Sequence, residues 1–131
     1  MDRILNSIKA LSDKNRLRVV MILKDCGELC VCQITEMLKL ATPTVSRHMS
    51  VLQGAGLVKS RKDSRWVYYR LSEAFPPLLL QWLEDGLMGS EDIAKDKEKI
   101  NLIISNGLDW LCQSQKRRRE LRAGQIKEER C

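Results

Sequence analysis

Aromatic side chains are scarce in this sequence, three Trp, two Tyr and one Phe, so aliphatic residues must supply the core. Long apolar runs are absent as well. No stretch approaches the roughly eighteen consecutive apolar residues that a membrane-spanning helix needs. The first residues, Met1-Asp-Arg-Ile, carry no signal-peptide pattern. A cytoplasmic protein with no membrane partner is expected, in a compartment where thiols stay reduced. The cysteines, Cys26, Cys30, Cys32, Cys112 and Cys131, are odd in number, which argues against a disulfide framework. No base and nucleophile form a catalytic constellation, so neither an enzyme nor an organic cofactor is expected.

The chain of 131 residues fits one domain with a sizeable core. Its net charge of +6 is unevenly spread. Residues 42–72 hold six Lys and Arg against one Asp, whereas residues 73–115 hold three against eight Asp and Glu. From residue 116 onward the balance is basic again, seven against three, with almost no apolar side chain. A basic middle against an acidic segment suits a nucleic-acid surface placed away from a self-association surface. Residues 114–131 read as a basic, mobile tail, solvated or adding nonspecific DNA contact, which leaves 1–113 as the folded domain.

Ile4, Ile8 and Leu11 recur at helical spacing and predict a first helix over 2–11. Ser12 or Asp13 can cap a second, whose Leu17, Val20, Met21 and Leu23 make one broad face and which Gly27 stops. A third runs from about Leu29 to Leu38, and Lys39-Leu40-Ala41 is the turn after it. A fourth extends to Gln53: Thr42 is a good N-cap, Pro43 suits the first helical position, and Val45, Met49 and Leu52 share a face. Residues 57–71 are β-branched and aromatic towards both ends of a polar centre, Lys62-Asp63-Ser64-Arg65, and predict a β-hairpin. Two more helices, 75–90 and 91–113, complete the order, with Gly107 a weak point in the last. The class is mainly α with a small β-hairpin; helix, turn, helix and a basic-tipped hairpin make a winged helix-turn-helix.

Two constellations carry chemistry. Thr42, Thr44, Ser46, Arg47 and His48 lie near the start of the fourth helix, the part that a recognition helix presents to base edges, and Arg47 can fork onto guanine. Arg61, Lys62 and Arg65 at the hairpin tip would hold adjoining phosphates. His48 has a second reading, as a brace between this helix and its neighbour. Cys30 and Cys32 can hold one thiophilic ion, and a helix N-terminus favours the thiolate form. In a regular helix, residues i and i+2 point about 200° apart, so sharing an ion requires the first turn to bend or unwind. Cys26, four residues before Cys30 across Gly27-Glu28, could join them through a turn. The plain alternative is that all three are small core residues.

Ala10-Leu-Ser-Asp, Arg16-Leu-Arg, Glu28-Leu-Cys-Val-Cys, Val45-Ser-Arg-His-Met, Gly56-Leu-Val and Trp66-Val-Tyr-Tyr-Arg-Leu, in that order, closely resemble the ArsR family of metal-sensing bacterial repressors over roughly residues 4–90. The resemblance implies a dimeric winged-helix repressor that leaves its operator, an imperfect inverted repeat, when a metal or metalloid binds. The Glu-Leu-Cys-Val-Cys stretch is similar to that of the arsenic(III) sensors, which implies arsenic(III) or antimony(III) as inducer, three thiolates around it, and dimerisation through the first and last helices. The third thiol of that pattern falls on Thr35 here, so Cys26, Cys112, Cys131 or an added small thiol must supply it. The only histidine is His48, which excludes the His and carboxylate zinc site of other relatives. A cadmium/lead repressor, a regulator that oxidises Cys30 against Cys26, and a non-sensing DNA-organising protein are the rival readings.

Overall fold

The computed structural model describes residues 1–108 together with Leu111 and Gln115. Among these residues the chain order is α1 (Asp2–Leu11), α2 (Lys14–Cys26), β1 (Glu28–Cys30), α3 (Val31–Leu38), α4 (Thr42–Gly54), β2 (Val58–Asp63), β3 (Trp66–Leu71), α5 (Pro77–Leu87) and α6 (Glu91–Asn106). This is the expected mainly helical class with a small sheet.

Local chemistry sets most boundaries. The Asp13 carboxylate accepts the Asn15 and Arg16 amides at 2.8 and 3.1 Å, a cap worth about 1 kcal/mol to α2. Gly27, at φ +85°, turns the chain out of α2. Ala41, not Thr42, caps α4: its carbonyl accepts the Val45 amide at 3.1 Å, so the helical ladder starts one residue earlier than expected. Gly107, at φ +79°, interrupts the expected helix 91–113 after Asn106, and Leu108 and Leu111 beyond it are helical again, the Leu111 amide donating to the Gly107 carbonyl at 3.4 Å. Ile93, Ile100 and Ile103 are buried, while Ile104 is turned out.

The main departure lies at residues 28–30. The third helix was expected to begin at Leu29, but Glu28–Cys30 is a strand. It pairs antiparallel with β3, Glu28 opposite Arg70, Leu29 opposite Tyr69 and Cys30 opposite Tyr68. The wing is thus one part of a three-stranded sheet of order β1-β3-β2, not a lone hairpin. Three residues are too few to show the alternation that marks a strand.

The core forms around α2, whose Val19, Val20, Ile22 and Leu23 are all buried. Against it pack Ile34 and Met37 of α3 and Val45, Met49 and Leu52 of α4. Arg18 reaches from α2 to the buried Asp96 of α6 through two hydrogen bonds of 2.8 and 2.7 Å. No helix among the described residues is long and apolar enough to cross a membrane. Cys112, Cys131 and, Gln115 apart, the expected tail 114–131 lie outside the described residues.

Candidate thiol site and nucleic-acid interface

Cys30 closes β1 and is also the N-cap residue of α3, with extended backbone at φ −69° and ψ 148°. The 200° splay expected of a regular helix therefore does not arise, because only Cys32 is helical. The Cys32 thiol hydrogen-bonds to the Cys30 sulfur, which also accepts the backbone N–H groups of Cys32, Val67 and Gln33. In return the Gln33 side-chain oxygen accepts the Cys30 amide at 2.8 Å, completing a capping box with a sulfur in the place of a hydroxyl. The thiol donated by Cys32 and these backbone donors outweigh burial and bring the Cys30 thiol down to about 6. The side chain of Gln115 donates to the Cys32 carbonyl at 2.8 Å, so the chain beyond α6 returns to this turn.

Cys26 is not gathered with the pair. Among the described residues no three His, Cys, Asp or Glu side chains form a cluster able to hold a metal ion. Cys26 sits half-buried at the end of α2, where burial first, and then the Asp25 charge, raise its thiol above the ordinary value. Thr35, where the third cysteine of the arsenic pattern would fall, is buried and donates to the Val31 carbonyl at 2.7 Å.

On α4 the buried face of Val45, Met49 and Leu52 leaves Thr44, Ser46 and Arg47 exposed, with Thr42 half-exposed. His48 is different. Its Nδ1 lies 3.2 Å from Arg16 Nη1, and Arg16 also donates to the Ala10 and Lys9 carbonyls at the end of α1. A guanidinium only donates, so Nδ1 accepts, and His48 braces α4 against α1 and α2. Arg61, though exposed, also has partners within the chain. It donates to both Glu28 oxygens, at 2.8 and 2.5 Å, and lies over the Tyr68 ring at 4.5 Å. Lys62 is exposed at the wing tip, and Arg65 is exposed with its guanidinium 4.8 Å from the Trp66 ring centre. Gln53 donates to Ser60 at 3.2 Å and ties the end of α4 to β2.

A helix-turn-helix joined to a three-stranded sheet has clear relatives. The family model described as bacterial regulatory protein, arsR family, matches residues 13–60. The arsenical resistance operon repressor of Escherichia coli is 35% identical over 98 residues, 75% of this chain and 79% of that one. This chain belongs to the arsR family. Another arsR-family relative, the arsenic resistance transcriptional regulator ArsR1 of Pseudomonas putida, is 40% identical over 84 residues, and the match spans 62% of its length. A cadmium resistance transcriptional regulatory protein CadC homolog of Staphylococcus aureus is 40% identical over 86 residues, covering 66% of this chain and 69% of that one. HlyU from Vibrio cholerae superposes with a TM-score of 0.58 at 28% identity, over 64% of this chain and 90% of that one.

Within this arsR-family chain, sequence reasoning missed three partnerships: Arg16 with His48, Glu28 with Arg61, and Gln33 with Cys30. Only the last left a local signal, a capping residue followed three positions later by Gln. The unusual Cys30 environment has a measurable consequence. The ultraviolet absorbance of thiolate should show a step near pH 6 that disappears in Cys30→Ser and moves towards the ordinary value of 9.0 in Cys32→Ala, which removes the side-chain donor. A folded thiol that titrates below its unfolded value stabilises the fold above pH 9, and that contribution is lost as pH falls through 6. A first thiolate step at pH 8 or above in the wild type would contradict the geometry.

Proposed function

We propose that this arsR-family regulator is a homodimeric repressor that leaves its operator when Cys30 and Cys32 capture arsenic(III) or antimony(III). The observation that carries the reading is the thiol pair itself: two adjacent sulfurs, one held low in pKa, at the cap of α3, the helix preceding and packed against α4. Soft thiolates suit a thiophilic ion, and each thiol that replaces a hydroxyl of arsenous acid releases one water. The third position belongs to another thiol, with Cys26, Cys112, Cys131 and an added small thiol as the candidates. The nucleic-acid surface is Thr42, Thr44, Ser46 and Arg47 on α4 with Lys62 and Arg65 on the wing, while His48 and Arg61 act behind it. Ile4, Leu5 and Ile8 of α1 and Trp82 of α5 are exposed, apolar surface of the kind a second copy covers.

The test is an anaerobic titration of the operator complex, followed by fluorescence anisotropy. Arsenite should release the DNA at lower concentration than cadmium, whereas a regulator that works by thiol oxidation would ignore arsenite under these anaerobic conditions. Cadmium acting first would favour the second reading, a cadmium-responsive repressor, which the 40% identical cadmium resistance relative supports.

The DNA surface makes its own prediction. Arg47→Ala should cost on the order of 1–3 kcal/mol of operator affinity and relax specificity at one base. Lys62→Ala and Arg65→Ala should weaken binding to operator and random DNA alike, each flattening the salt slope by about one. An operator-to-random affinity ratio unchanged in Arg47→Ala would remove its base-reading role.

A further inference from the structure

The sheet register puts the thiol pair and the wing on one line. Cys30 of β1 stands opposite Tyr68 of β3, and Tyr68 stands opposite Arg61 of β2. Paired residues share a face of a sheet, so Cys30, Tyr68 and Arg61 form one transverse row. Arg61 lies over the Tyr68 ring and reaches across β3 to hold Glu28 with both arms of its guanidinium. Glu28 is two residues from Cys30, on the same strand and the same face. Resting on the reading of Cys30 and Cys32 as the inducer site, we propose that Glu28 is a positioning residue for the wing, and that the Glu28–Arg61 pair carries ion capture at the thiols to the DNA-contacting cations.

The argument runs through the Cys30 sulfur. It accepts N–H groups from Cys32 and Gln33 in α3 and from Val67 in β3. An ion bonded to that sulfur competes with those donors for its lone pairs, so capture loosens the tie between β1 and the start of β3. β1 has only three residues and follows Gly27 at φ +85°, so its short ladder with β3 and the buried Leu29 side chain are what resist a shift. A shift of Cys30 moves Glu28, and the two-armed hold on Arg61 passes the movement to β2. Lys62 follows Arg61 directly, and Arg65 lies with Ser64 in the turn between β2 and β3. A plain stabilising role explains the pair poorly, because Glu28 and Arg61 are solvent-accessible and such pairs contribute little. The competing route runs from α3 to α4 through the packed helices and needs neither residue.

Three quantities separate the routes, measured on the full chain with arsenite as the probe: arsenite affinity, operator affinity, and the factor by which saturating arsenite weakens operator binding. In Glu28→Gln, arsenite and operator affinities should stay within about twofold of wild type, while the release factor falls about tenfold. The charge-exchanged pair Glu28→Arg/Arg61→Glu should recover most of that factor. Hydroxyl-radical footprints should show that arsenite exposes the wing-contacted phosphates in wild type and leaves them protected in Glu28→Gln. An unchanged release factor in Glu28→Gln, with wild type released normally, overturns the relay and leaves the thiol site standing. A wild-type operator complex indifferent to arsenite overturns both.

Discussion

Cys30→Ser and Cys32→Ser should each bind operator as tightly as wild type and fail to release it when arsenite is added. The reasoning is thermodynamic linkage. An inducer weakens DNA binding only by the difference between its affinities for the free and the DNA-bound protein, and a coupling of about 3 kcal/mol weakens it roughly a hundredfold. Neither sulfur lies on the exposed face of α4 or at the wing tip, so operator affinity in the absence of arsenite should be insensitive to either change. Serine can still cap α3 at position 30, which keeps the helix start intact. What disappears is the two-sulfur grip, and with it the competition for the Val67 and Gln33 amides that couples the site to the sheet. Operator competition with increasing arsenite reads the effect directly, and release of both variants at wild-type concentrations would place the sensor elsewhere in the chain. X-ray absorption adds the third ligand. Loss of one sulfur scatterer in Cys26→Ser requires Cys26 to move towards the pair on binding, because it is not clustered with them here. Three sulfurs retained in that variant point to Cys112, Cys131 or an added thiol.

The order of the elements and the buried faces of α2, α3 and α4 were legible because their apolar residues recur at helical spacing over eight or more positions. The same holds for the exposed Thr44, Ser46 and Arg47, which fall opposite Val45, Met49 and Leu52. The thiol pair was legible as chemistry but not as geometry. Whether two cysteines two apart can meet depends on whether the first of them is helical, and β1 owes its strand to pairing with β3, nearly forty residues later. The Glu28 partner of Arg61 was hidden for the same reason, as was the Arg16 partner of His48, whose bracing reading was open from the sequence. A basic residue at a wing tip and a histidine on a recognition helix both suit DNA, and only Glu28 and Arg16, distant in sequence, give them partners within the chain. Long-range pairing, absent from any local window, decides these three sites.

The largest stability effect should come from Arg18. Its guanidinium holds the Asp96 carboxylate through two hydrogen bonds, the Asp96 side chain is 1% exposed, and this pair joins α2 to α6. The Asp96 carboxylate raises the Arg18 pKa further, against the effect of burial, so the guanidinium keeps its charge. Forming such a pair brings little net stability, because both charges lose water. Removing one partner is a different matter, since it strands the other without solvent or counter-charge. Arg18→Ala should cost about 3–5 kcal/mol and lower the melting temperature by about 10–20 °C. Asp96→Ala should cost less, because Arg18 keeps some contact with water and a hydrogen bond of 3.0 Å to Asn15. The double replacement Arg18→Met/Asp96→Leu should recover most of the loss, since apolar groups of similar volume leave no buried charge. Calorimetric melts of the four proteins at one protein concentration decide the matter. An Arg18→Ala protein within about 1 kcal/mol of wild type would mean that water reaches Asp96 and that the isoleucines of α6, with the surface pairs Lys14–Asp92 and Lys97–Asp25, suffice to hold it to α2.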